Sequence, residues 1–141
     1  MINKEKLYKE LEDILNLSID PGLFPYQKGN SIRIGSFVVR WNKNGYYKLY
    51  NIKENKLIQE TFCKTSAVAM AKTLAKGQDS SKSILTLDKD IQKWYNDCIF
   101  YKHSMLTTDD NFRRDIISTR YEIARYKTVD AKRKLDKYIY A

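Results

Sequence analysis

Histidine, cysteine and glycine are scarce in this sequence, which limits the chemistry it can carry. Among 141 residues there is one histidine, His103, and there are two cysteines, Cys63 and Cys98, and five glycines. The two cysteines lie too far apart in sequence to form a metal-binding pair, so we predict no zinc site and expect reduced thiols. The glycines are scattered, which argues against a loop that cradles phosphate. We therefore expect no catalytic residue, no metal, no cofactor and no enzymatic activity.

Long apolar runs are also missing from the sequence. No stretch approaches the roughly 20 apolar residues that a membrane-spanning helix needs. Met1 is followed by charged residues rather than by the apolar segment of a signal peptide. The sequence therefore predicts a cytoplasmic protein with no membrane partner.

Acidic residues are nearly missing from residues 28–76. This segment contains ten Lys and Arg but only two acids, Glu54 and Glu60, so its net charge is +8 out of +9 for the whole chain. An AT-rich genome would explain abundant lysine through its codons, but it would not explain why acids are rare in one segment. A field of this sign attracts polyanions, and nucleic acid is the commonest of them.

The first half of the chain predicts an α+β unit, a three-stranded antiparallel meander with one packed helix, preceded by a short helix. The predicted elements are a helix at 3–17, strands at 32–41, 46–52 and 57–62, and a helix at 65–76. Asn44-Gly45 is a strong signal for a two-residue hairpin turn. Thr65 or Ser66 can cap the second helix, and Gly77 ends it. We therefore separate an N-terminal helix and apolar loop at 1–27 from a basic module at 28–77.

Residues 84–141 predict an antiparallel helical hairpin. Apolar residues recur at alternating spacings of three and four in each half, as in paired helices. The first seam consists of Ile84, Leu87, Ile91, Trp94, Cys98, Tyr101 and Met105, and the second of Ile117, Tyr121, Ala124, Thr128, Ala131, Leu135 and Tyr138. Asp109 or Asp110 can cap the second helix, Thr128 is a weak point in its seam, and Asp88 is expected to interact with the dipole of its own helix.

Several aromatic residues of the hairpin fall outside the two seams, namely Tyr95, Phe100 and Tyr126. They could meet the basic module or another chain, so the hairpin is a candidate surface for homo-oligomer formation. Basic residues also line the last predicted helix, but acidic neighbours dilute them, and we interpret this face as solvated.

The basic sheet is the candidate binding site. Counting outward from the Asn44-Gly45 turn places Arg40 opposite Leu49 and Trp41 opposite Lys48. Both faces carry apolar residues, so the pattern leaves open which face the helix covers, and an ordinary half-buried sheet with solvated lysines remains the alternative. Cations neutralise phosphates, and aromatic rings stack on bases. The candidate nucleic-acid-binding residues are Arg33, Arg40, Trp41, Lys43, Tyr46, Tyr47, Lys48, Tyr50 and Lys64.

Four short motifs carry a resemblance to a known family: Arg40-Trp41, Gly45-Tyr46, Thr61-Phe62 and the helix containing Ala67, Ala69 and Ala71. Through these motifs, residues 32–76 resemble the DNA-binding domain of plant ethylene-response factors and of related phage endonucleases and integrases. In that family the sheet enters the major groove, so the resemblance implies that Arg40, Trp41 and Lys48 contact DNA. Glu60 stands where the family usually has Gly, and the family's opening Arg-Gly signature is missing.

The overall texture of the sequence is similar to that of small uncharacterised proteins of marine tailed phages with AT-rich genomes. We therefore expect a small non-enzymatic nucleic-acid-binding protein, with DNA favoured over RNA, located in the host cytoplasm or the virion if a phage encodes it. The first alternative is a structural or assembly protein of a tailed-phage virion, in the capsid, neck or tail, whose partners are other virion subunits. The second is a phage protein that binds and inhibits a host enzyme.

Overall fold

A computed structural model describes residues 9–11, 29–42 and 46–140 of the chain. The fold is α+β, with a four-stranded antiparallel sheet in the order β1-β2-β3-β4 followed by helices, two of which form a long pair at the C-terminal end. The strands are β1 (Ser31–Ile34), β2 (Phe37–Arg40), β3 (Tyr47–Asn51) and β4 (Lys56–Thr61), and the helices are α1 (Lys64–Ala75), α2 (Ser81–Thr107), α3 (Asn111–Lys134) and α4 (Asp136–Ile139).

Residues 9–11 are helical, as the predicted N-terminal helix requires, and Leu11 is buried. The rest of the predicted helix at 3–17, the apolar loop after it, Lys43 and the Asn44-Gly45 turn lie outside the described residues. Each helix in the described part of the chain is too short or too polar to cross a lipid bilayer.

The sheet has four strands rather than the predicted three, because the predicted strand at 32–41 is itself a hairpin. Ile34 of β1 lies opposite Phe37 of β2, and the chain reverses through the two residues between them. Gly35, the first of these, has a φ of 59°, a left-handed conformation that glycine adopts without a steric penalty. The continuous run of Val, Ile and aromatic residues hides this reversal, and Gly35 is the only local signal for it.

The predicted register between the next two strands is wrong by one residue. Arg40 lies opposite Lys48 rather than Leu49, and Val39 lies opposite Leu49. Because side chains alternate between the two faces of a strand, a shift of one residue changes which side chains share a face. In the observed register Ile32, Val39 and Leu49 share the face that packs against α1.

The helix α1 begins and ends within one residue of its predicted limits and is buried nearly all round. Ala67, Val68, Ala69, Met70 and Ala71 are all 0% exposed, because the sheet covers one side of the helix while α2 and α4 cover the other. Its small residues let these layers approach closely. The predicted stop at Gly77 is confirmed: its φ is 74°, and the Gln78 N–H donates to the Thr73 carbonyl oxygen at 2.9 Å in a Schellman arrangement.

The start of α1 differs from the prediction. The N-cap residue is Cys63 rather than Thr65 or Ser66. The Asp88 carboxylate of α2 accepts hydrogen bonds from the backbone N–H groups of Phe62 at 2.8 Å and Cys63 at 3.2 Å. Asp88 therefore satisfies donors at the start of α1, a helix that precedes its own in the chain, instead of acting only on the dipole of α2.

The predicted helical hairpin is confirmed. The first seam is buried at Ile84, Ile91, Cys98 and Met105, and the second at Tyr121, Ala124, Thr128, Ala131 and Leu135. The Asp110 carboxylate accepts a hydrogen bond from the Phe112 N–H at 2.9 Å, which confirms one of the two predicted caps. The chain stays helical through Thr128, whose hydroxyl donates to the Ala124 carbonyl oxygen at 2.8 Å, and the regular helix ends at Lys134.

Two apolar clusters hold the described part of the chain together. The first joins the inner face of the sheet and α1 to the near end of the hairpin through Ile84, Ile91, Ala131 and Leu135, and to α4 through Ile139. The second fills the far end of the hairpin, where Leu11 meets residues of both long helices. The sheet is therefore joined through α1 to the end of the hairpin where α3 ends, and its other face points away from α1.

Candidate nucleic-acid interface

The outer face of the sheet, which points away from α1, carries two rows of side chains across the strands. One row runs from Ser31 through Arg40 and Lys48 to Glu60, and the other from Arg33 through Val38 and Tyr50 to Leu57. Alternation along each strand sets both rows, since neighbouring residues in sequence point to the inner face. The outer face therefore carries cations beside an aromatic ring, with one carboxylate, the buried Val38 and the exposed Leu57 among them.

A groove of about 480 Å³ lies along one end of this face. Its lining consists of Arg40, Trp41, Asn42, Tyr46, Lys48, Tyr50 and Glu60. The Arg40 guanidinium carbon lies 5.7 Å from the centroid of the Tyr50 ring, and Lys48 Nζ lies 3.9 Å from Glu60 Oε1. Because both members of that ion pair are about half exposed, the pair is screened by solvent and contributes little to stability.

Trp41 forms the boundary between the groove and the inner side of the sheet. Its ring centroid lies 5.4 Å from that of Tyr47, and Lys64 Nζ lies 5.0 Å from the Trp41 ring centroid. Burial lowers the pKa of Lys64 and raises the pKa of Tyr47. These two residues therefore contact Trp41 on the inner side of the sheet, and Trp41 also lines the groove.

Tyr46 holds the groove to the helical hairpin. The Gln92 side-chain amide of α2 donates a hydrogen bond to the Tyr46 hydroxyl at 3.2 Å. The Tyr46 ring is nevertheless 48% exposed. An exposed ring whose hydroxyl is held at a fixed point is positioned to stack on a planar ligand without much loss of side-chain freedom.

The structure brings together five of the nine predicted site residues, and these five line the groove: Arg40, Trp41, Tyr46, Lys48 and Tyr50. Arg33 lies on the same face, where its Nε donates to the Gly35 carbonyl oxygen at 3.2 Å. Tyr47 and Lys64 lie behind Trp41, and Lys43 is outside the described residues.

Lys72 belongs to the basic segment but stabilises the fold and does not line the groove. Lys72 Nζ, on α1, donates a hydrogen bond to the Ile139 carbonyl oxygen at 2.9 Å and so satisfies a backbone acceptor of α4. The net charge of residues 28–76 is therefore larger than the charge that the groove presents.

A second groove, of about 500 Å³, lies between the first turns of α2 and the end of the hairpin. Its lining consists of Ser83, Thr86, Leu87, Arg133, Lys134, Lys137 and Tyr138. The sequence pattern predicts a solvated helix face for these basic residues. The short helix α4 instead brings Lys137 and Tyr138 beside Arg133 in the groove lining, and no local pattern indicates that arrangement.

A buried polar cluster lies between α1 and the hairpin. Cys63 Sγ lies 3.0 Å from the Ser66 hydroxyl oxygen, and Lys132 of α3 is 1% exposed. Burial lowers the pKa of Lys132 to about 8, although Cys63 and Asp136 act in the opposite direction. Burial, with the neighbouring Asp88 carboxylate, raises the pKa of the Cys63 thiol to about 11. A thiol with a raised pKa is mainly protonated at neutral pH, and the protonated form is a weaker nucleophile than the thiolate.

Within the described ranges, no group of three His, Cys, Asp or Glu side chains is arranged to hold a metal ion. Comparison of the chain with protein-family models, with curated proteins and with solved structures finds no match.

Proposed function

We propose that this protein is a small, non-enzymatic nucleic-acid-binding protein that binds DNA through the outer face of its sheet. The observation that carries the proposal is the groove in which Arg40 and Lys48 lie beside the rings of Trp41, Tyr46 and Tyr50. The cationic side chains can neutralise phosphates, and the aromatic rings can stack on bases.

The pairing of Arg40 with Lys48 gives a physical reason to expect an anionic ligand there. Like charges that face each other directly across two strands destabilise a sheet. Glu60 on the next strand lies 3.9 Å from Lys48 and offsets part of this repulsion. A phosphate between the two cations would offset the remainder, so the binding of a polyanion would also stabilise the sheet.

The aromatic side chains favour single-stranded over duplex DNA. Tyr46 can stack on a base only if that base is not already stacked in a duplex. An oligonucleotide laid along the groove could place phosphates against Arg40 and Lys48 while its bases contact the rings. We therefore expect single-stranded DNA to bind more tightly than a duplex of the same length.

Binding of a labelled oligonucleotide, measured by fluorescence anisotropy between about 50 and 200 mM salt, tests this function. The affinity should fall as salt rises. The double variant Arg40→Gln/Lys48→Gln should lose affinity and reduce the slope of log K against log salt by about 1.4, since each single-strand phosphate contact contributes about 0.7. The variant Tyr50→Leu should weaken binding with little change in that slope.

The matched control is Lys53→Gln/Lys89→Gln, which removes the same net charge from exposed positions outside the groove lining. This control should retain most of the slope. The proposal fails if wild-type affinity does not depend on salt, or if the control weakens binding as much as the groove variant does.

One observation supports an assembly role as the second candidate function. Large apolar side chains are exposed on the outer side of α3, and subunits of a particle bury such side chains against each other. If the purified chain forms rings or higher oligomers and the groove variants leave its DNA binding unchanged, the assembly role replaces the first proposal.

A further inference from the structure

The helix α3 carries an apolar stripe on the side that faces away from the hairpin seam. We call this set the α3 stripe; its members are Phe112, Ile116, Ile123 and Tyr126, with exposed fractions of 73, 42, 51 and 69%. Single exposed apolar residues are common on protein surfaces. Four exposed apolar residues in line on one helix are uncommon, because each adds apolar area to the same patch.

The spacing of the α3 stripe is that of a second heptad seam. With Thr119 at its centre, the stripe follows intervals of four, three, four and three residues from Phe112 to Tyr126. Ile116 and Ile123 both fall at a positions of this heptad pattern, and β-branched residues are common at the a positions of parallel two-stranded coiled coils. The buried seam residues Tyr121 and Ala124 point to the opposite side of the same helix.

Charges of opposite sign flank the α3 stripe. Arg113, Arg120 and Lys127 lie along one side of it, and Asp115 and Glu122 along the other. All five side chains are exposed. The charge pattern therefore distinguishes between possible orientations of a partner helix.

We propose that the α3 stripe is the contact surface of a homodimer in which the α3 helices of two copies of this chain pair in parallel. In a parallel pair each residue of the acidic flank meets the residue five positions further along the other helix, on the basic flank. Asp115 of one copy then faces Arg120 of the second copy, and Glu122 faces Lys127. In an antiparallel pair each flank meets its own counterpart, so that acids face acids and cations face cations.

The size of the α3 stripe sets the strength of the association. From Phe112 to Tyr126 the helix rises about 21 Å. A contact of two heptads on one helix is smaller than a standard stable interface, so the dimer should dissociate in the micromolar to millimolar range.

Parallel pairing has a consequence for the sheets of the two copies. The sheet and α1 lie at the end of the hairpin that contains the C-terminal end of α3, so a parallel dimer places both sheets at the same end. Two outer faces on one side of the dimer could engage one long polyanion, and binding would then gain from the raised effective concentration of the second site.

Light scattering and sedimentation equilibrium of the purified chain, from micromolar to millimolar concentration, test the proposal. Wild-type mass should rise from that of the monomer to that of the dimer. Ile123→Asp should raise the dissociation constant by at least about tenfold, since both copies lose a buried isoleucine. The matched control Ser118→Asp adds the same charge at an exposed position on another side of α3 and should leave association unchanged. Circular dichroism of each variant checks that the helices are intact.

Charge reversal decides the orientation. Asp115→Arg and Arg120→Asp should each weaken the homodimer, and an equimolar mixture of the two variants should restore association through complementary pairs. In an antiparallel dimer Asp115→Arg would instead strengthen association, because it would place a cation near Glu122 of the second copy. That strengthening, a monomer at millimolar concentration, or association insensitive to Ile123→Asp would each overturn the proposal.

Discussion

The buried ammonium group of Lys132 should make the stability of this protein rise with pH above neutrality. Lys132 is 1% exposed, and burial lowers its pKa from 10.5 to about 8. At neutral pH the group is therefore protonated in a site that disfavours its charge. The difference between the two pKa values corresponds to about 3 kcal/mol of folding free energy.

The sign follows from proton linkage. Between the folded pKa of about 8 and the unfolded value of 10.5, the unfolded chain binds the proton that the folded protein has released. The contribution of Lys132 to the free energy of unfolding therefore increases as the pH rises across that window, and this gain is lost as the pH falls through 8. The buried Cys63 thiol, whose pKa is raised to about 11, acts in the opposite direction as pH rises.

The variant Lys132→Met isolates the lysine. It keeps a side chain of similar length but removes the charge, so its stability relative to wild type should be highest at neutral pH. That relative stability should fall by about 2–3 kcal/mol as the pH rises to 10. Urea denaturation at a series of pH values, followed by fluorescence of the two tryptophans, measures this difference.

The matched control is Lys134→Met, which removes an exposed ammonium group that pairs with Asp130 at 3.3 Å. Its effect on the free energy of unfolding should stay below about 1 kcal/mol and vary little with pH. A difference between Lys132→Met and wild type that does not change from pH 7 to pH 10 would refute the assignment of a low pKa to the buried lysine.

Three further predictions concern the groove and the start of α1. Glu60→Gln should increase DNA affinity about two- to fivefold in anisotropy titrations, because Glu60 is the carboxylate in the groove. It should change the free energy of unfolding little, because the ion pair of Glu60 with Lys48 is exposed. Unchanged or reduced affinity would exclude the groove as the phosphate site. Arg40→Thr should weaken DNA binding yet raise the free energy of unfolding by up to about 1 kcal/mol, because it removes the like-charge pair with Lys48; a clear loss of stability would show that the pair does not repel. Asp88→Ala should lower the free energy of unfolding by about 2–3 kcal/mol in urea denaturation, because two backbone donors at the start of α1 lose a charged acceptor. A change below about 0.5 kcal/mol would mean that water replaces the carboxylate.

The helical hairpin could be predicted because its signal is local and repeated. Each seam offers several apolar residues at one period, so one exception such as Thr128 does not obscure it. The C-terminal end of α1 was predictable for a similar reason, since Gly77 is a stop signal that acts through its own backbone conformation. Both results depend on residues close together in sequence.

The strand count and the register depended on information that a single strand does not carry. Gly35 allows the reversal between β1 and β2, but a glycine within an apolar run is equally compatible with a bulge or a continuous strand. In the observed register of β2 and β3, Val39 and Leu49 face each other and pack against α1. Only the tertiary structure shows which pair of side chains that helix covers.

The capping of α1 by Asp88 is a contact between residues about 25 positions apart, so no pattern near residue 63 predicts it. The same limit applies to the second groove, in which Ser83 and Lys137 come together only because the hairpin returns to the start of α2. Contacts of this kind are set by how whole elements pack.

The candidate site was predictable in composition but not in arrangement, and the difference bears on function. Composition identified the cations and rings between residues 28 and 76. In the predicted register Arg40 would have faced Leu49, an arrangement with no electrostatic cost. In the observed register Arg40 faces Lys48, so that two cations lie side by side on the outer face. Leu49, the residue next to Lys48 in sequence, faces Val39 instead. Such a pair of cations costs stability in the free protein and loses that cost when an anion binds. The one-residue shift therefore places two cations together on the outer face, where the proposed function would need a phosphate.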